Sequence, residues 1–124
     1  MKTKPEKTQK PAPIVVGGCP RSGTTLLRLI LDCHRNIACG PEMKIAPHLA
    51  REMMRTWRLF GKDLEENYGI TLQNFARTFG EQYTALLEPY RIKSGKPRIA
   101  EKTPQNILAF VELSMMLPES PFIH

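Results

Sequence analysis

The sequence predicts an α/β fold, a parallel sheet flanked by helices, on three observations. Short apolar runs alternate with longer stretches whose apolar residues recur every three or four positions. That alternation is the pattern of strand–helix–strand units feeding one parallel sheet. The first run, Ile14-Val15-Val16, contains no polar residue, as befits a strand covered on both faces. It passes through a glycine-bearing loop directly into a helical pattern. There is no internal repeat.

Residues 1–13, MKTKPEKTQKPAP, hold three prolines and five charged residues. Such a segment cannot bury enough apolar area to offset the entropy of ordering it, so a disordered leader is expected. Ile14 to Gly18 is the first strand. A helix follows from about Gly23 to Cys33, with Leu26, Leu27, Ile30 and Leu31 at helical spacing and Asp32, His34 and Asn36 marking its exit. Asn36 to Gly40 reads as a second strand, broken by Gly40-Pro41. Pro47 suits the first turn of a helix that runs to about Phe60 on a stripe of Leu49, Met53, Met54 and Trp57. Gly61 to Gly69 reads as a polar linker or a short helix. Thr71 to Tyr90 is helical, with Gly80 as its weak point. Ser94 to Pro97 is a loop, and Arg98 to Glu101 is a third strand leading into Lys102-Thr103-Pro104. Ile107, Leu108, Val111, Leu113 and Met116 suggest another helix to Leu117. After the turn Pro118 to Pro121, Phe122-Ile123-His124 begins a fourth strand. A central strand is rarely left unfinished, so residues 14–124 are expected to be the N-terminal part of a single domain, truncated at the C-terminus.

Composition narrows the function classes. The chain has 124 residues, 41% hydrophobic and 24% charged, the balance of a soluble globular domain with a modest core. No apolar run approaches the ~20 residues of a membrane span. The lysine-rich N-terminus lacks an apolar signal region, so a cytoplasmic protein is expected. The net charge is +6, yet four of the lysines fall in residues 1–10. The remainder is only mildly basic, which suits small anions and argues against a nucleic-acid partner. Cys19, Cys33 and Cys39 are an odd set without C-x-x-C spacing, so neither a disulfide framework nor a zinc site is expected. Cys19 reads as a small side chain packed under its loop. Arg51, Arg55 and Arg58 share one helix face and read as solvated.

The loop carries the chemistry. Gly18-Cys19-Pro20-Arg21-Ser22-Gly23-Thr24-Thr25 keeps the glycine spacing of the nucleotide loop G-x-x-x-x-G-K-[ST], in which backbone N–H groups and a helix N-terminus cradle phosphate. Thr24 stands where a nucleoside triphosphatase places its phosphate-binding lysine, and the cation moves into the loop at Arg21. Such a loop can hold a phosphate and is poorly built to hydrolyse a triphosphate. A P-loop kinase or other NTPase, and a non-catalytic nucleotide-binding fragment, are the alternative classes.

Pro20-Arg21-Ser22-Gly23-Thr24-Thr25 resembles the 5′-phosphosulfate loop of the sulfotransferases, which use 3′-phosphoadenosine 5′-phosphosulfate (PAPS) as donor. Cys39-Gly40-Pro41-Glu42 and Glu101-Lys102-Thr103-Pro104 follow in the expected order. They resemble the branch that includes tyrosylprotein sulfotransferases and their bacterial relatives. The resemblance implies a P-loop-containing nucleotide-binding fold, PAPS as co-substrate and a hydroxyl-bearing acceptor (small molecule, carbohydrate or peptide), with no metal. It places the 3′-phosphate site in a segment beyond the fourth strand. Pro41 and Lys44 depart from the tyrosylprotein pattern, so the acceptor stays open.

Sulfonyl transfer needs an in-line nucleophile and leaving oxygen, and neutralisation of the leaving charge. By resemblance, Arg21, Ser22, Gly23, Thr24 and Thr25 bind the 5′-phosphosulfate, and Lys102 neutralises the bridging oxygen. Glu42, two residues after Gly40, is the favoured base for the acceptor hydroxyl. Glu101 is its rival, or a structural residue paired with Arg21 or Arg98. His34, His48 and His124 are bases in principle, with His124 read rather as a packed residue.

Overall fold

The computed structural model describes residues 11–124; most of the expected leader, residues 1–10, lies outside the described residues. Among the described residues, four strands form one sheet in the order β2-β3-β1-β4: β1 (Ile14–Val16), β2 (Ile37–Cys39), β3 (Arg98–Lys102) and β4 (Phe122–Ile123). Every pairing is parallel, as the strand–helix alternation predicts. The structure thus has the α/β architecture of the sequence-based reading.

Successive residues of a strand face opposite sides of the sheet, and here they sort into two cores. Ile14, Val16, Cys39 and Ala100 pack with Leu27 and Leu31 of α1 (Thr24–Cys33). Val15, Ala38 and Ile99 face the larger core, built with α2 (Ala46–Tyr68), α3 (Leu72–Ser94) and α4 (Phe110–Met116). Ala50, Met53, Tyr83, Leu87, Leu113 and Met116 fill it. Of the apolar residues that mark α1 as a helix, Leu26 and Ile30 are exposed, 62% and 59%, and only Leu27 and Leu31 reach the sheet.

Three helical segments differ from expectation. α2 does not stop near Phe60 but continues through Gly61 to Tyr68. Gly61 is buried beneath the Trp57 ring, and the turns beyond it carry a Lys62–Glu66 pair one turn apart. α3 runs on past Tyr90 to Ser94, through both Gly80 and Pro89. Gly80 is no weak point: a Cβ built there would lie 1.9 Å from the carbonyl oxygen of Met116, so the missing side chain lets α4 cross α3 closely. The segment after Pro104 begins as a 3₁₀ helix, Pro104–Ala109, before α4 takes over. Its tighter winding leaves Leu108 exposed, although its spacing in the sequence suited an α-helical core face.

α2 and α3 form an antiparallel hairpin closed by Gly69, whose φ of 66° is left-handed, and by Thr71, whose hydroxyl caps α3 by accepting from the Asn74 amide at 3.2 Å. Trp57, Phe75 and Phe79 stack along the seam, with ring centroids 5.5 and 5.2 Å apart.

Candidate active site

The site lies at the carboxyl ends of β1, β2 and β3, the edge where open α/β sheets take ligands. β1 ends at Val16, and the loop 17–23 leads to α1. Two contacts moor the loop's root: the Gly17 amide donates to Ile123 O at 2.9 Å, and the Gly18 amide donates to Pro104 O at 3.0 Å. Arg21 is exposed and takes a left-handed φ of 60°, sparse territory for a side-chain-bearing residue. Gly23 follows at φ 89°, and a Cβ built there would meet nothing within 4 Å, so the chain uses glycine here for its backbone and not for lack of room. Ser22 Oγ donates to Cys19 O, closing the loop on itself.

The N-terminus of α1 suits an anion. Gly23 brings no side-chain cap, and the first turn holds no acidic residue. The first N–H groups of a helix lack intrahelical partners and carry its positive dipole end. Thr25 is exposed at this end, whereas Thr24 is buried, its methyl 3.1 Å from a Cβ built on Gly18. Of the two hydroxyl residues, Thr25 stands on the open side. Cys19 is exposed, contrary to the packed role expected of it; the turn that hydrogen-bonds its carbonyl leaves its side chain outside.

Lys102 is paired in register with Val16, so it ends β3 directly beside the start of the loop. Its side chain is 3% exposed, and its ammonium donates to Glu42 Oε1 at 2.6 Å. Glu42 is half-buried, at 30%. The fold thus joins the favoured base and the favoured leaving-group cation, which are 60 positions apart in the chain.

Glu101 has a different environment. It is 3% exposed and accepts four hydrogen bonds. Oε1 takes the Met43 amide at 2.9 Å and the Thr103 hydroxyl at 2.6 Å. Oε2 takes the Tyr83 hydroxyl at 3.1 Å and Asn106 Nδ2 at 2.9 Å. Its partners are therefore not Arg21 or Arg98, because the register turns Glu101 toward the α2–α4 face of the sheet. Burial, and then the neighbouring Glu101 carboxylate, push the Tyr83 phenol well above its usual range. Asn106 also donates to Val16 O at 3.1 Å, tying this network to the root of the loop.

Side chains of α1 hold the other flank. Asp32 accepts the Cys39 amide at 2.8 Å, and Arg28 donates to Cys39 O at 2.7 Å, so the end of β2 is pinned just before the turn that carries Glu42. Sequence reasoning passed over Arg28, Asp32, Tyr83 and Asn106. The i, i+4 spacing of Arg28 and Asp32 was the only trace of their shared task. Arg51, Arg55 and Arg58 are exposed, and Arg55 pairs with Glu52 at 3.6 Å. His34, His48 and His124 are exposed, so His124 is not the packed residue expected of it.

Residues 13–124 match the sulfotransferase family. Protein-tyrosine sulfotransferase 2 of Gallus gallus is 34% identical over 115 residues, covering 89% of this chain and 29% of that protein. Protein-tyrosine sulfotransferase 1 is 31% identical in Danio rerio and in Homo sapiens, again over 89% of this chain, with 31% and 30% of those proteins covered. The chain spans less than a third of the length of these relatives. The loop on an uncapped helix, the lysine beside it and a match over residues 13–124 agree: the chain belongs to the sulfotransferase family.

Proposed function

We propose that this chain binds PAPS and serves transfer of its sulfonyl group to a hydroxyl acceptor, with a tyrosine phenol in a protein or peptide as the acceptor to test first. The observation that carries the reading is Lys102, beside the phosphate-type loop and seated on Glu42 at 2.6 Å. The tyrosine acceptor is taken from the names of the relatives. PAPS supplies the activated sulfonyl group.

The residues divide the work. Arg21, the Thr25 hydroxyl and the free N–H groups opening α1 hold the 5′-phosphate. Gly23 and Ser22 shape the loop, and Thr24 packs beneath it. The acceptor oxygen bonds to sulfur as the bridging S–O bond breaks. The acceptor proton goes to Glu42. The electron pair stays on the phosphate oxygen, where the Lys102 ammonium and the loop stabilise it.

Calorimetric titration tests the donor site. Adenosine 3′,5′-bisphosphate is expected to bind more tightly than ATP–Mg²⁺, and Arg21→Ala to weaken it at least about tenfold, the worth of one charge-assisted hydrogen bond. A preference for ATP–Mg²⁺ would replace this reading with an NTPase.

A further inference from the structure

We infer that Thr103 and Glu101 are positioning residues that clamp the turn 41–44, and that this clamp keeps the Glu42 carboxylate on Lys102. The inference deepens the proposed function, since it rests on reading Glu42 and Lys102 as the reactive pair. It also removes Glu101 as the rival base.

The argument starts from the backbone. Lys44 has a φ of 65°, left-handed without being glycine, so the turn holds a conformation that the chain does not favour locally. Such a conformation persists when its surroundings over-determine it. Two consecutive amides of the turn are held from β3 and the residue after it. The Met43 amide donates to Glu101 Oε1 at 2.9 Å, and the Lys44 amide donates to Thr103 Oγ1 at 3.1 Å. Thr103 spends its own proton on Glu101 Oε1 at 2.6 Å, which leaves its oxygen as an acceptor for Lys44. Lys102 lies between these two residues, on the opposite face of the strand, and reaches Glu42 just ahead of the clamped amides. One short segment, 101–103, thus fixes both the backbone of the turn and the side chain it carries.

Both oxygens of Glu101 are already occupied by two donors each, and the residue is buried. Glu42, with one contact to Lys102 and 30% exposure, retains acceptor capacity and an opening to solvent. A base must reach the acceptor proton, and of the two carboxylates only Glu42 stands where an acceptor can approach.

The two oxygens of Glu101 allow a dissecting test. In Glu101→Gln, the amide carbonyl can take the place of Oε1 and keep the clamp. Its NH₂ then replaces Oε2 and faces the Asn106 amide donor, so stability falls while the turn is retained. Thr103→Val keeps the shape and removes the acceptor for Lys44, and Thr103→Ser restores it. The readouts are amide exchange at Met43 and Lys44 and the ¹⁵N signal of the Lys102 ammonium, neither of which requires turnover. Thr103→Val is expected to speed Lys44 exchange about tenfold, the worth of one hydrogen bond, and to weaken the Lys102 ammonium signal by faster exchange with water. Thr103→Ser is expected to restore both, and Glu101→Gln to lower the melting temperature with the Lys102 signal unchanged. An unaltered Lys102 signal in Thr103→Val would overturn the clamp. So would losses in Glu101→Gln and Thr103→Val that merely track stability. Should neither variant fold, Met43 and Lys44 amides that exchange without protection in the unaltered chain would overturn it, and protected ones would support it. A sound clamp in a chain that prefers ATP–Mg²⁺ to the bisphosphate would sink the functional reading alone.

Discussion

At the residue scale, burial pushes the Cys39 thiol up to about 11, against an ordinary 9.0, with Glu101 and Asp32 adding to the shift and Arg28 opposing it. The Tyr83 phenol is raised too, by burial and by Glu101. Both groups are neutral when protonated, and the folded chain holds their protons more tightly than the unfolded chain does. Below the ordinary thiol value both states are protonated, and this contribution is whole. As pH rises through the ordinary values of 9.0 and 10.0, the unfolded chain releases its protons first and stability falls. Urea midpoints are therefore expected to stay level to about pH 8 and to drop between about pH 9 and 11. Cys39→Ala should flatten the early part of that drop. A slope unchanged by the substitution would mean that Cys39 meets water in the folded chain.

At the element scale, helix propensity and close packing make opposite predictions for Gly80. Propensity alone favours alanine in a helix interior by about 1 kcal/mol. The 1.9 Å approach to Met116 O decides the matter, since no flexible side chain can yield there. Gly80→Ala is expected to destabilise the chain by about 1–3 kcal/mol in chemical denaturation, by forcing α4 off α3. A neutral or stabilising result would show that the crossing is looser than described. Gly80 is also where the sequence misled. In a sequence a glycine in a helix is only a loss of propensity; the backbone that crosses over it lies 36 positions away. The long α2 was cut short on similar grounds: Gly61 and the polar residues after it read as a linker or a short separate helix, although Gly61 lies one turn on from Trp57 and packs under its ring. The strands and α1 were legible because their signal, short unbroken apolar runs and apolar residues at helical spacing, is local.

At the scale of the whole molecule, the two faces of the sheet are joined at a seam through Lys96. This lysine follows α3, on the far side of the sheet from α1, and its ammonium donates to Asp32 O at the end of α1 and to Ile37 O of β2 at 3.0 Å. It satisfies one carbonyl at a helix end, where a cation is favoured, and one of a strand. Lys96→Met, which keeps the stem and removes the charge, is expected to cost about 2 kcal/mol. Amides of α1 and β2 should exchange faster before those of α2 and α3 do. Uniform acceleration across all helices would argue that the seam is not a local tie. The same region supports the site, since Asp32 and Arg28 pin the end of β2 ahead of Glu42.

The sequence by itself determined the alternation of strands and helices, the phosphate-type loop at 18–25 and the placing of Glu42 and Lys102 just after or at strand ends. These are short-range patterns, readable from spacing and residue type. Only the tertiary structure decided the strand order β2-β3-β1-β4, which sets Lys102 beside Val16 and brings Glu42 to it. It alone gave Glu101 its four donors and made Thr25, not Thr24, the exposed threonine of the loop. The physical reason is that a parallel ladder pairs strands far apart in the chain. Their register is set by the packing of both sheet faces at once, and no local period encodes it.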